Sequence, residues 1–210
     1  MRLTYACRLA LLTPALLACA QETRVSDDAI ADAFRALTRG PGGCVEDPRR
    51  VDAPSTFFPT LRVIRGLCVA EHGDSVAVSV GIDRDNLIHL LASRSAFDFL
   101  VTRIPPIALD STTVVAYALT ALEYSGTASI GAHVVAPDDL HADARTGITL
   151  GKGRLTQVNA LGPRWRVALV TVGRGGQYRP AVYRHELLIA ADGKLDMVHS
   201  EILWSDPAHP

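Results

Sequence analysis

The chain has no surplus of charge. Its 21 basic residues stand against 22 acidic ones, for a formal net charge of -1. A domain built to hold nucleic acid through its phosphates needs a basic field, and none exists here. Long apolar runs are also missing, and none approaches the roughly 18 residues of a membrane-spanning helix. The cysteines and histidines do not fall into a zinc-finger spacing, and there is no C-x-x-C pair, G-x-S-x-G elbow or H-E-x-x-H helix. Gly147 to Gly153 looks like a phosphate-binding loop. It is one residue short, however, and Gly153 stands where a Ser or Thr would hold magnesium. Asp83-Arg84-Asp85-Asn86 lacks the glycine and distal glutamate of a calcium loop. No cofactor is expected.

What remains is ordinary for a folded protein of 210 residues: 48% hydrophobic, 20% charged and 6% aromatic, with 16 Gly and 12 Pro. Only Lys152 and Lys194 are lysines, so positive charge is almost entirely arginine.

The first residues are an address. Arg2 and Arg8 make a positive start with no acidic residue, Leu9 to Leu17 is a short apolar stretch, and Leu16-Leu17-Ala18-Cys19 follows. This segment resembles the signal peptide and lipobox of bacterial lipoproteins. The resemblance implies removal of residues 1–18, lipidation of Cys19 and an exported chain anchored in the cell envelope, on the periplasmic side or at the cell surface. The segment also fits plain cleavage after the small-x-small Ala18-Cys19-Ala20, which would secrete the protein, or retention as an anchor. The resemblance stops there and says nothing of the domain behind it. Without residues 1–18, 19 basic residues face 22 acidic ones, a net of -3.

Two of the four cysteines, Cys44 and Cys68, then remain for an oxidising compartment, where a disulfide persists. Bridging them closes a 25-residue loop. The chain-entropy argument values that at about 3.5 kcal/mol. Two buried free thiols are the alternative.

After a tether (19–25), residues 26–210 read as a single domain. Ser26 caps a helix with Asp27 and Asp28 in its first turn and Ile30, Ala33, Phe34 and Leu37 on one face. Gly40 and Pro41 end it. Residues 40–56 read as turn-rich loop. Thr60 to Val69 and Val76 to Ile82 alternate as strands, and Leu87 to Ala92 returns after a turn at 83–86. Residues 95–109, with Pro105-Pro106, read as irregular. A second helix over about 112–124 would be capped by Asp110 or Ser111, with Val115, Ala118, Leu119 and Leu122 inward. Four strands, 154–161, 165–173, 181–190 and 194–204, make a C-terminal meander. Two main helices and an antiparallel sheet give α+β. The strand-turn patterns at 78–86 and 185–193 are alike, so 26–109 and 110–205 read either as weakly related halves or as similar hairpins.

The candidate site lies on the last hairpin. A three-residue loop at Ala191-Asp192-Gly193 pairs Ala190 with Lys194. Carried down the hairpin, this register places His185 opposite His199 and Tyr183 opposite Glu201, all on one face with Ile189, Leu195, Leu187 and Met197. Two imidazoles, a phenol and a carboxylate at one end of an apolar face could hold a metal or orient a polar ligand. They could equally be residues of a sheet margin. Asp138, Asp139, His141 and Asp143 form a second cluster, read chiefly as a solvated turn. The leading expectation is a noncatalytic envelope lipoprotein, a binding or structural module held to a membrane through its N-terminal lipid. The alternatives are a small-ligand or metal-binding protein, with hydrolysis as one use, and an assembly factor that presents a sheet edge to a partner.

Overall fold

The computed structural model describes residues 25–38, 49–53, 55–69, 75–128, 132–134, 156–174 and 180–205. The signal segment, Cys19, Cys44, the acidic cluster at 138–143 and the glycine-rich stretch at 147–153 lie outside these residues.

The fold is α+β, with three helices and two antiparallel sheets among the described residues. Helix α1 (Asp27–Thr38) begins as its sequence dictates, with the Ser26 hydroxyl accepting from the Ala29 N–H at 3.2 Å. It buries Ile30, Ala31, Ala33 and Phe34. The first sheet runs in chain order: β1 (Arg49–Asp52), β2 (Arg62–Val69), β3 (Ser75–Ile82) and β4 (Ile88–Leu90). Because strand side chains alternate, Ile64, Val80 and Ile82 face α1 and make one core with Ile30, Ala33 and Phe34. Leu61 and Val63 go into the other core. β1 falls within the stretch read as loop: Arg49 to Asp52 is too short and polar to register as a pattern, and its pairing with β2 places it.

Residues 94–103 correct the expectation of irregular structure. They form helix α2 (Arg94–Arg103). Ser93 is its N-cap, accepting from the Ala96 N–H at 3.3 Å, and Phe97, Leu100 and Val101 are buried at helical spacing. Pro105 and Pro106 follow the helix, where proline belongs, and do not disrupt it. Helix α3 (Val114–Tyr124) follows a turn in which an Asp110 carboxylate oxygen accepts from the N–H groups of Thr112 and Thr113, each at 2.8 Å. The Thr112 hydroxyl, the N–H groups of Thr113 and Thr112, and the Thr113 hydroxyl together hold the Asp110 carboxyl down at about 2. The helix is turned relative to expectation. Ala118 and Leu122 are buried, but Val114, Tyr117, Ala121 and Tyr124 join them while Val115 and Leu119 stay partly exposed. It has neighbours on more than one side, so a single-stripe reading misplaces its face.

The second sheet contains β5 (His133–Val134), β6 (Gln157–Leu161), β7 (Arg164–Arg174), β8 (Pro180–Ile189) and β9 (Leu195–Ser205). The meander β6-β7-β8-β9 matches the sequence reading, and β5 shares the β7 edge with β6. Val167, Leu169, Leu187, Ile189 and Leu195 on its inner face share a core with α2, α3 and the inner side of the first sheet. The layers therefore run α1, first sheet, α2 with α3, second sheet.

Tyr117 crosses this stack. Its ring meets Phe57 edge-on at 5.3 Å, and its hydroxyl donates to the Gly193 carbonyl at 2.6 Å. Gly193 closes the last hairpin at φ 90°. A Cβ there would lie 2.6 Å from both the Tyr117 oxygen and Pro106 Cγ. Gly193→Ala should therefore destabilise the protein by about 2 kcal/mol, from the unfavourable φ and the clash together. Urea unfolding followed by circular dichroism measures it, and an unchanged midpoint would remove this turn from the stabilising contacts.

Candidate functional site

The expected cluster on the last hairpin does not assemble. The turn is as read: Ala190 N–H donates to the Lys194 carbonyl at 2.8 Å, and Ile189 pairs with Leu195. One residue later β9 bulges at Asp196, so Leu188 pairs with Met197 and the register moves by one. His185 therefore opposes Ser200, and His199 opposes Glu186. Tyr183 opposes Ile202, and Glu201 opposes Arg184. A one-residue slip sends side chains to the other face. The four residues divide into Tyr183 and His185 on the inner face and His199 and Glu201 on the outer one. Arg94, at the start of α2, donates from its guanidinium to the carbonyls of Leu195 and Asp196 and so holds the bulge. The Asp196 carboxylate meets Arg164 at 3.3 Å. With residues 95–109 read as irregular, the helix that aims Arg94 could not be anticipated.

His185 is a core histidine. It is fully buried, stacks on Tyr183 at 5.9 Å, and spends both ring nitrogens on hydroxyls: Nε2 lies 2.9 Å from Thr171 Oγ1 and Nδ1 lies 2.7 Å from Ser200 Oγ. Burial pushes its pKa down to about 4 from an ordinary 6.5. His199 and Glu201 are exposed.

A second polar centre sits where β3 ends. The Asp83 carboxylate is buried and saturated. One oxygen accepts from the N–H groups of Asp85 and Leu87, each at 2.9 Å. The other lies 3.0 Å from His89 Nε2 and 3.0 Å from Arg103 Nε. Arg103 also donates to Asp85 at 2.7 Å. Burial alone would raise the Asp83 pKa, but the hydrogen bonds from His89, Leu87, Arg103 and Asp85 outweigh it and hold the carboxyl below its usual range. An ionised carboxylate only accepts, so His89 carries its proton on Nε2. Its ring packs 5.8 Å from Phe99.

This centre is the floor of a cleft of about 420 Å³, lined by Pro59, Thr60, Arg84, Asp85, Ile104 and Pro105 as well as Asp83 and Arg103. Arg84 is exposed and has no ion-pair partner among the described residues. Within the cleft the spare groups are donors, namely the Arg84 guanidinium and the Thr60 hydroxyl, whereas most carboxylate acceptors are occupied. Ser79 lies on the same strand, buried, with its hydroxyl unpartnered. Serine, histidine and aspartate thus occur close together in the chain, yet no hydrogen bond joins Ser79 to His89. Leu61 lies on the intervening Gly81, its Cδ1 3.0 Å from where a Cβ would be. The residues form no relay.

At the level of sequence, residues 83–86 read as a plain turn. An aspartate entering a tight turn, whose carboxylate can take the N–H groups two and four residues on, was the available signal. Its partner Arg103 lies on α2, within a stretch whose sequence reads as irregular. Comparison with protein-family models, curated proteins and solved structures finds no match for this chain.

His185 makes stability depend on pH. Its folded pKa is depressed, so the unfolded chain binds the proton first, and stability falls as pH drops from about 6.5 towards about 4. His185→Gln should flatten that part of the profile. Melting temperatures measured across this window test it, and identical slopes for the two proteins would count against the assignment.

Proposed function

We propose that the protein is an exported, lipid-anchored binding module of the cell envelope, noncatalytic, which holds a small carboxylate-bearing ligand in the Arg84–Arg103 cleft. The observation that carries this reading is the division of labour among its polar groups. His185, His89 and Asp83 are bonded into the fold, while Arg84 and Thr60 face an open, rigid-walled cleft with donors to spare. A guanidinium presents a planar fork that suits a carboxylate. Pro59, Ile104 and Pro105 offer apolar wall for a short carbon chain. This replaces the histidine pair as the location of ligand binding.

Titration calorimetry with a panel of small mono- and dicarboxylates tests the cleft. Saturable binding that weakens at least about tenfold in Arg84→Ala is expected, roughly the 1.4 kcal/mol of one charge-assisted hydrogen bond. No binding across the panel, or binding indifferent to Arg84→Ala, would sink the reading.

The envelope reading rests on Leu16-Leu17-Ala18-Cys19 and on the cysteine pair. Cys68 is buried on the side of β2 that faces α1, and it is not a free thiol. Cys44 lies between the end of α1 and the start of β1, whose Arg49 pairs with Leu67, the neighbour of Cys68. Four residues lie between Cys44 and Arg49, few enough to keep Cys44 within reach of Cys68. Peptide mass spectrometry of protein from the membrane fraction should find Cys19 acylated and Cys44 linked to Cys68, with Cys19→Ser released as soluble protein. An unmodified Cys19, or free Cys44 and Cys68 in exported protein, would overturn the respective half.

A further inference from the structure

We propose that the outer edge of β9 is a self-recognition surface, on which a second copy of the chain pairs antiparallel about a twofold axis through Ser200. β9 is eleven residues long and closes one side of the second sheet. Among the described residues no strand pairs with its outer edge. A long unpaired edge is a template for another strand, and proteins either blunt it or use it. Bulges near the two ends of β9 and the charge of Glu201 blunt this edge only in part. It carries no lysine and no proline, and Met197 and Ile202 are exposed, the latter at 61%. Its two bulges, at Asp196 and at Leu203, leave Met197 to Ile202 as an unbroken stretch between them.

The occupant follows from the side-chain order on that stretch. Two copies in one continuous antiparallel sheet are related by an axis normal to the sheet, so opposed residues must come from the same face. This restricts the axis to pass through a residue of the strand. With Ser200 on the axis, Val198 of each copy opposes Ile202 of the other on the inner face. His199 opposes Glu201 on the outer face, twice. Apolar meets apolar, and each imidazole meets a carboxylate that can accept its N–H. Moving the axis to His199 sets imidazole against imidazole and Met197 against Glu201. Moving it to Glu201 sets carboxylate against carboxylate, which is repulsive. Of these three registers, the Ser200 one alone sets apolar against apolar and imidazole against carboxylate.

The geometry also suits the anchor, a point that rests on the envelope reading, although the pairing itself does not. An axis normal to the sheet keeps both copies the same way up. Each α1 lies on the side remote from the second sheet, so in such a dimer both α1 helices lie on the same side.

Sedimentation velocity of the purified exported chain over a concentration series tests the proposal. A short ladder is a small interface, so a concentration-dependent monomer–dimer equilibrium is expected. Ile202→Lys, at a site already exposed, should weaken dimerisation by about tenfold or more, with circular dichroism and melting unchanged. Glu201→Lys should weaken it as well, and adding His199→Glu should restore it. Under mild oxidation Ser200→Cys should cross-link two copies, whereas Val198→Cys should not, because it opposes Ile202. A chain that is monomeric at every concentration, a dimer indifferent to both Ile202→Lys and Glu201→Lys, or cross-linking through Val198→Cys in preference to Ser200→Cys overturns it.

Discussion

The burial of Tyr117 is the constraint on which the arrangement depends. Its ring lies among Phe57, Phe58 and Phe97, and its hydroxyl reaches the carbonyl of Gly193. Side chains of the β1–β2 connection, side chains of α2, and the last hairpin of the second sheet are thereby referred to one residue of α3. A buried phenol must spend its hydroxyl on a partner. The partner available is a turn carbonyl, so the hairpin is placed by the helix as well as by its own strands. Arg94 adds a second connection of the same kind, from the first turn of α2 to the carbonyls at the β9 bulge.

Those two long-range bonds mark where the sequence stops being legible. The meander, α1 and its Ser26 cap, and the Ala191-Asp192-Gly193 turn all follow from local chemistry: alternation, capping and the need for a left-handed glycine. The register beyond the turn does not. Polarity segregation favoured His185 opposite His199, but the bulge is held by an arginine about a hundred residues away in the chain. Helix α2 was hidden by its own composition, because S-R-S-A-F-D-F alternates over a few residues and a proline pair follows. The face of α3 was misjudged for another reason. A helix covered by two sheets has no single apolar stripe to read.

The candidate site was less legible still. Asp83 was visible only as a turn residue, and its value comes from what converges on it. Two backbone N–H groups, an imidazole and a guanidinium meet at one carboxylate, which makes the floor of the cleft rigid. Rigidity of that kind suits recognition, because a ligand then finds donors already in place and little ordering remains to be done. It suits proton transfer poorly, since neither the carboxylate nor the His89 nitrogen bound to it is free to exchange partners.

The shared edge of β7 has a consequence for how the chain can vary. Val134 pairs with Thr171, and Gln157 pairs with Ala168, so only Val170 and Leu169 separate the two contacts on β7. Two residues would bridge that gap in an uninterrupted strand, whereas the chain spends residues 135–156 between them. The faces of β6 are set residue by residue through its pairing with β7 and not through the connection, so the number of residues between the two strands carries no parity requirement. Segments of different length can be spliced there without turning β6 over. The rest of the sheet would continue to fold against α3 as before.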